Sequence, residues 1–244
     1  MPSKNSEPVP AEELSRAIRD VLAPQGKPAD LVREYYDTGK NPRFAGDSFD
    51  SLGRPSNPDD RFRFTTEDVL SLCMLDIRPH PDAIRRLTSG ELDTCLRDLP
   101  FGRPIWETTD SDRDAMSNAW SSLIILDNFG RTATSKILSR KRPELVPIRD
   151  SVIERVLGIG DRPWWKPLGD VLRDETLRAS IDSLWGGPED KKPSTLRLLD
   201  VAAWMLGSRS THVQSIRKRV GSRGIDRART ESDGGTIPRG RDRE

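Results

Sequence analysis

Apolar positions along the chain recur at helical spacing, and no stretch alternates as a strand would. Leu14, Ile18 and Leu22 share one face of a segment over about 11–22, and a second helical stretch covers roughly 28–36. The segment GKNPRFAGDSFDSLGRPSNPDDR, rich in Gly, Pro, Asp and Ser, predicts irregular structure with a few pinned aromatics. RFTTEDVLSLCMLDI opens the next helix: Thr65 suits the N-cap, Asp68 can answer it at N3, and Phe64 can staple onto Val69. Further helices are expected near 81–87 and 89–97. Over 112–126, Met116, Trp120, Leu123 and Ile124 form an i, i+4, i+7, i+8 stripe. Helices are expected again around 175–185 and 194–206. The predicted fold is all-α.

With 244 residues the chain has room for one large domain or two small lobes with a real core. Residues 11–207 carry the helical pattern. Residues 1–10 are polar and proline-bearing and read as a flexible tail. Residues 208–244 hold ten Lys/Arg against five Asp/Glu with little to bury, so a basic disordered tail is expected there. The formal net charge is only +1, so any attraction to phosphates has to come from local patches. Cys73 and Cys95 read as core thiols of a protein in a reducing cytosol. His80 and His212 lie far apart without ligand-like companions, and no metal site or cofactor is expected. No apolar window approaches the ~18 residues of a membrane span and no signal core opens the chain, which points to a cytoplasmic protein.

The densest chemistry lies in LDNFGRTATSKILSRKRPELVPIRDSVIERVLG, residues 126–158, within a hairpin and loop over 123–157. The helix ending near Leu126 must reverse into one starting near Arg131, which calls for a positive φ. Asn128 is the best non-glycine choice and Gly130 is unrestricted, with Phe129 able to plug the gap. The backbone N–H groups of Gly130, Arg131 and Thr132 then stand free at a helix N-terminus, an anion site suited to a DNA phosphate. Arg131, Lys136, Arg140, Lys141 and Arg142 face a single acid between 127 and 142. Alone they read as a solvated helix face; coupled to the hairpin they read as phosphate ligands. Asn128, Phe129, Gly130, Arg131, Thr132 and Lys136 are the expected clamp. Pro143 and Pro147 stiffen the following loop and deliver Asp150 to the N-cap of a helix held by Val152, Ile153, Val156 and Leu157. Asp150 reads either as that cap alone or as a carboxylate placed for chemistry.

Residues 126–157 resemble the hairpin-plus-aspartate signature of the helix–hairpin–helix superfamily of base-excision DNA glycosylases. Gly130 matches the second glycine of that motif, with Asn128 in place of the first. Arg131-Thr132-Ala133 match its helix start, and VPIRDSVIERV matches the block bearing its aspartate, twenty residues after Gly130 as in the bifunctional members. The resemblance implies a two-lobed helical fold, double-stranded DNA as partner, a monomer, and Asp150 as the catalytic carboxylate. Thr132 stands where bifunctional members carry a Schiff-base lysine. This implies a monofunctional enzyme that leaves an abasic site without nicking the strand, Lys136 being the one candidate substitute. No four-cysteine cluster follows the domain. The chain also resembles an uncharacterised family of actinobacterial proteins through FAGDSFDSLG, RFTTEDVLSLCMLDI, KRPELVPIRDSV and LRLLDVAAWM, a likeness over most of residues 30–206.

The glycosylase resemblance places a base pocket and wedge at Leu75, Asp76, Ile77 and Arg78, because an extruded base needs both. Trp106, Trp120, Trp164, Trp165 and Trp204 read as packing residues or as platforms for that base. Asp200, with Arg197 three residues before it and Trp204 four after, reads as half of a structural ion pair or as the partner of a tryptophan N–H. The expected activity is hydrolysis of the N-glycosidic bond of a flipped damaged or modified base, in DNA repair or against invading phage DNA. The target base is not legible. The alternatives are a non-catalytic helix–hairpin–helix DNA-binding module and a helical protein-interaction scaffold.

Overall fold

Capping decides where most helices begin. Thr65 accepts from the Asp68 N–H while the Asp68 carboxylate accepts from the Thr65 N–H, and Thr109 with Asp112 repeats the arrangement. His80, Asp150, Asp174 and Ser194 start four more helices with side-chain acceptors. In the computed structural model, which describes residues 7–37, 44–53 and 58–233, the helices run in this order. First come α1 (Ala11–Val21), α2 (Pro28–Tyr35), α3 (Thr66–Cys73), α4 (Pro81–Thr88), α5 (Thr94–Arg97) and α6 (Asp110–Ile124). Then follow α7 (Arg131–Lys141), α8 (Ser151–Val156), α9 (Trp165–Val171), α10 (Glu175–Asp182), α11 (Thr195–Gly207) and α12 (Thr211–Asp233). No residue among those described is in a strand, so the all-α expectation holds.

Apolar side chains collect in two clusters. One is built by α3 to α7 around Leu72, Leu87, Leu96, Met116, Leu123 and Ile137. The other joins α1 and α2 to α8–α12 through Leu14, Ile18, Leu31, Leu168, Leu198 and Ile216. The chain therefore starts in one cluster, crosses to build the second, and returns after the loop that carries Asp150. α11 is the strut of the first cluster, buried without a break from Thr195 to Ala203 and flanked by α2 and α8. Each fully buried Leu or Ile in these clusters contributes about 1.5–3 kcal/mol of transfer free energy.

Several expectations need correction. The segment beyond 208, expected as a disordered basic tail, forms α12 over 211–233. Val213, Ile216 and Val220 recur at helical spacing and are buried in the first cluster, and Lys27 Nζ holds the Val220 and Gly221 carbonyls at 3.0 Å. Within the segment expected as a loose N-terminal tail, Val9 is buried and its N–H bonds the Pro163 carbonyl at 2.9 Å; residues 1–6 and 234–244 lie outside the described residues. Cys73 is exposed rather than core, because α3 turns Val69 and Leu72 inward and leaves Cys73 on its outer side. The helix expected over 89–97 shrinks to α5, since Gly90 takes φ +84 and Asp93 turns its carboxylate back to the Phe64 N–H.

Candidate active site

The turn between α6 and α7 has the geometry its residues demand. Asn128 adopts φ +54, Phe129 is buried in the second cluster, and the Phe129 N–H closes onto the Leu126 carbonyl at 2.9 Å. Gly130 is the N-cap of α7 at φ −71, so it needs no left-handed freedom; a Cβ there would meet nothing within 4 Å. Among the described residues the N–H groups of Gly130, Arg131 and Thr132 have no acceptor. Three donors without acceptors at a helix start are what a phosphate oxygen requires.

Asp150 is fixed to α7 by the backbone before it. Ser135 on α7 accepts from the Arg149 N–H at 2.9 Å and donates to the Arg149 carbonyl at 3.2 Å, pinning the loop one residue ahead of Asp150. Asp150 Oδ1 then accepts from the Val152 and Ile153 N–H groups, both at 2.9 Å, and caps α8. Its other oxygen accepts nothing among the described residues. The cap accounts for half of the carboxylate and leaves half for something else.

Asp150 lines a cleft of about 550 Å³ walled by both clusters. Thr132, Lys136 and Asp150 line one side, with Leu75, Asp76 and Ile77 from the end of α3. Tyr35, Phe44, Arg197, Asp200, Trp204 and His212 line the other. Phe44 stacks on Tyr35 with ring centroids 5.1 Å apart and meets the edge of Trp204 at 5.8 Å, so the far wall is aromatic. A space of this volume holds a nucleobase and its sugar.

The charges in the cleft are coupled. Lys136 Nζ donates to the Leu75 carbonyl at 2.9 Å, and burial pulls its amine below the usual lysine range, an effect opposed by Asp150, Asp200 and Asp76. Arg197 is buried and reaches four partners: Asp200, Asp50 at 3.0 Å, the Tyr35 hydroxyl at 2.9 Å and the Gly46 carbonyl at 3.0 Å. Burial lifts the Asp200 carboxyl to about 6, the Asp150 charge pushing the same way while Arg197 and Lys136 hold it down. Burial likewise raises the Tyr35 hydroxyl to about 12.

The predicted site residues divide. Thr132, Lys136, Asp150, Leu75, Asp76 and Ile77 meet in the cleft, whereas Arg78 is exposed and outside its lining. Asn128, Gly130 and Arg131 sit on the hairpin surface. The Arg131 side chain pairs with Asp161 through Nη1, with Glu154 at 3.8 Å. Lys136 is not a phosphate ligand: its side chain is buried and points into the cleft. The rest of the basic run is also internal. Arg140 and Lys141 share the Asp68 carboxylate, and Arg142 is spent on the carbonyls of Arg61, Leu96, Leu99 and Lys141. Apart from the Lys141 carbonyl, these partners lie more than forty residues away, which local charge counting does not reveal. Tyr35, Phe44 and His212 were missed. Asp200 was legible as Arg197's partner, and the structure places that ion pair in the cleft wall.

The chain belongs to a family of unknown function, DUF6308, which matches residues 28–207 and therefore contains the hairpin, the Asp150 loop and both walls of the cleft except Ser210 and His212. No curated protein and no solved structure matches the chain.

Proposed function

We propose that this family member is a DNA N-glycosylase of the helix–hairpin–helix type, hydrolysing the bond between deoxyribose and an extruded base in double-stranded DNA. The observation that carries the reading is the placement of Asp150: one carboxylate oxygen caps α8, the other is unspent, and the residue lines a cleft that also contains Thr132 of the hairpin helix. Departure of the base builds positive charge at C1′. A fixed carboxylate beneath the sugar stabilises that charge and orients the attacking water. The hairpin N–H groups grip the backbone phosphate, Leu75 and Ile77 fill the gap left in the stack, and the Phe44–Tyr35–Trp204 wall receives the base.

The test is incubation with duplexes carrying a panel of damaged and modified bases, followed by alkali to reveal abasic sites. Wild type is expected to yield alkali-dependent cleavage on at least one duplex. Asp150→Asn, whose amide oxygen still caps α8, is expected to yield none. Equal activity in the two proteins would reduce Asp150 to a cap and leave a non-catalytic DNA-binding module.

A second reading rests on Lys136, whose amine shares the cleft with Asp150 and is shifted toward its neutral form by burial. In place of water, the amine would attack C1′ as the C1′–N bond breaks and the base leaves with a proton. The C1′–O4′ bond then opens, O4′ taking a proton, and the resulting iminium would allow β-elimination and a strand nick. Borohydride in the reaction traps a protein–DNA adduct under this reading and none under hydrolysis by water.

A further inference from the structure

A second cleft, of about 500 Å³, opens at the opposite end of α7 from the hairpin, and the glycosylase reading makes no use of it. Its walls include Arg61, Phe101, Arg103, Arg142, Glu144 and Lys192. Most of its cations are committed. Arg103 meets Asp112 at 2.7 Å, Lys192 meets Asp182 at 3.4 Å, and Arg140 and Lys141 share Asp68. Arg142 has no carboxylate at ion-pair distance among the described residues, but backbone carbonyls take four of its hydrogen bonds.

Arg61 differs from all of these. Among the described residues it has neither a carboxylate partner nor a hydrogen-bond acceptor, and its Nε is shut away from solvent unsatisfied. Its guanidinium lies over the rings of Phe62, at 4.8 Å, and Phe101, at 5.2 Å, and the Arg142 guanidinium lies over the same two rings. Two adjacent guanidiniums without a counter-ion repel each other. Burial first, and the charge of Arg61 after it, hold Arg142 down to about 10. An anion between them and the cleft mouth would relieve that repulsion. Phe101 sits at the rim with 56% of its surface open, although it is a large apolar ring already stacked on one side by cations. An uncompensated guanidinium beside a bare aromatic face suits a ligand with a phosphate at one end and a planar ring at the other. The volume accommodates one such unit.

We propose that this cleft binds a nucleotide, its phosphate on Arg61 and its base against Phe101. Glu144, half-buried on the same wall, provides an acceptor for the polar edge of the base. The phosphate and ring belong either to a free mononucleotide or to the terminal nucleotide of a DNA strand.

The experiment is calorimetric titration of the full chain with deoxyadenosine monophosphate, inorganic phosphate and deoxyadenosine. The monophosphate is expected to bind saturably, phosphate to compete more weakly, and the unphosphorylated nucleoside to bind far less well. Arg61→Gln is expected to weaken the monophosphate by about tenfold or more. Phe101→Ala, a surface change that leaves the fold intact, should weaken the monophosphate severalfold and spare inorganic phosphate. A 5′-phosphorylated oligonucleotide that displaces the monophosphate identifies the strand end as the source; failure to displace it identifies the free nucleotide. Asp150→Asn, altered in the other cleft, should bind as wild type, which separates this inference from the glycosylase reading. Absence of saturable binding at millimolar monophosphate overturns the proposal, as does equal affinity in wild type and both cleft variants.

Discussion

Replacing Arg197 with Met keeps the length of the side chain and deletes its charge. The loss should be large because of what the guanidinium leaves behind. Asp200 is buried and relies on it, Asp50 is mostly buried and held at 3.0 Å, and the Tyr35 hydroxyl and Gly46 carbonyl each lose a donor. Breaking one buried pair by removing a single partner costs about 3–5 kcal/mol. With a urea dependence of about 2–3 kcal/mol/M, the unfolding midpoint should fall by roughly 1–2.5 M. Arg197→Met/Asp200→Asn removes one stranded carboxylate and should recover about 1–3 kcal/mol of that loss. The assay is urea denaturation followed by tryptophan fluorescence and circular dichroism at neutral pH. A loss below about 1 kcal/mol for Arg197→Met, or no recovery in the double variant, would refute the claim that Asp200, Asp50 and Tyr35 depend on the Arg197 guanidinium.

Other consequences follow from single sites. Asp200, lifted to about 6, binds a proton in the folded state at pH values where the unfolded chain has lost it. Its contribution is therefore present below about pH 4 and lost as pH rises to about 6, and thermal melts of Asp200→Asn should lack that slope. Gly130→Ala should leave thermal stability unchanged, because φ −71 suits any residue and the Cβ meets nothing. The same change should weaken DNA binding at low salt by intruding on the space before the hairpin amides; unchanged affinity would dissociate the hairpin from DNA. Gly46→Ala should destabilise the protein by about 1–3 kcal/mol in the same urea assay, since its Cβ would lie 2.0 Å from the Tyr35 hydroxyl.

How far the sequence could be read depended on whether a residue's partner was local. The Thr65–Asp68 box, the Met116–Trp120–Leu123 face, the left-handed Asn128 and the Asp150 cap all answer to neighbours within a turn or two, and all are found in the structure. α7 was harder. Its residues Ala133 to Ser139 are buried on every side, with no amphipathic stripe, because Ser135 is spent on Arg149 and Lys136 on Leu75. α12 was missed for a related reason: its apolar positions are sparse within a basic stretch, and the acid that receives Arg219 is Glu34, near the other end of the chain. The cleft itself was half legible. Asp150 and residues 75–77 came from the motif and its resemblance, whereas Tyr35, Phe44 and His212 reach it only through the return of the chain to its first cluster.

The most direct test of the carboxylate's role does not require knowing the target base. Duplexes carrying either a cationic pyrrolidine or a neutral tetrahydrofuran abasic analogue can be titrated with wild type and Asp150→Asn. Since the cation mimics the charge that develops at C1′, wild type should bind the pyrrolidine duplex about a hundredfold more tightly, and Asp150→Asn should bind both alike. Equal affinity of wild type for the two duplexes would contradict a catalytic carboxylate at position 150.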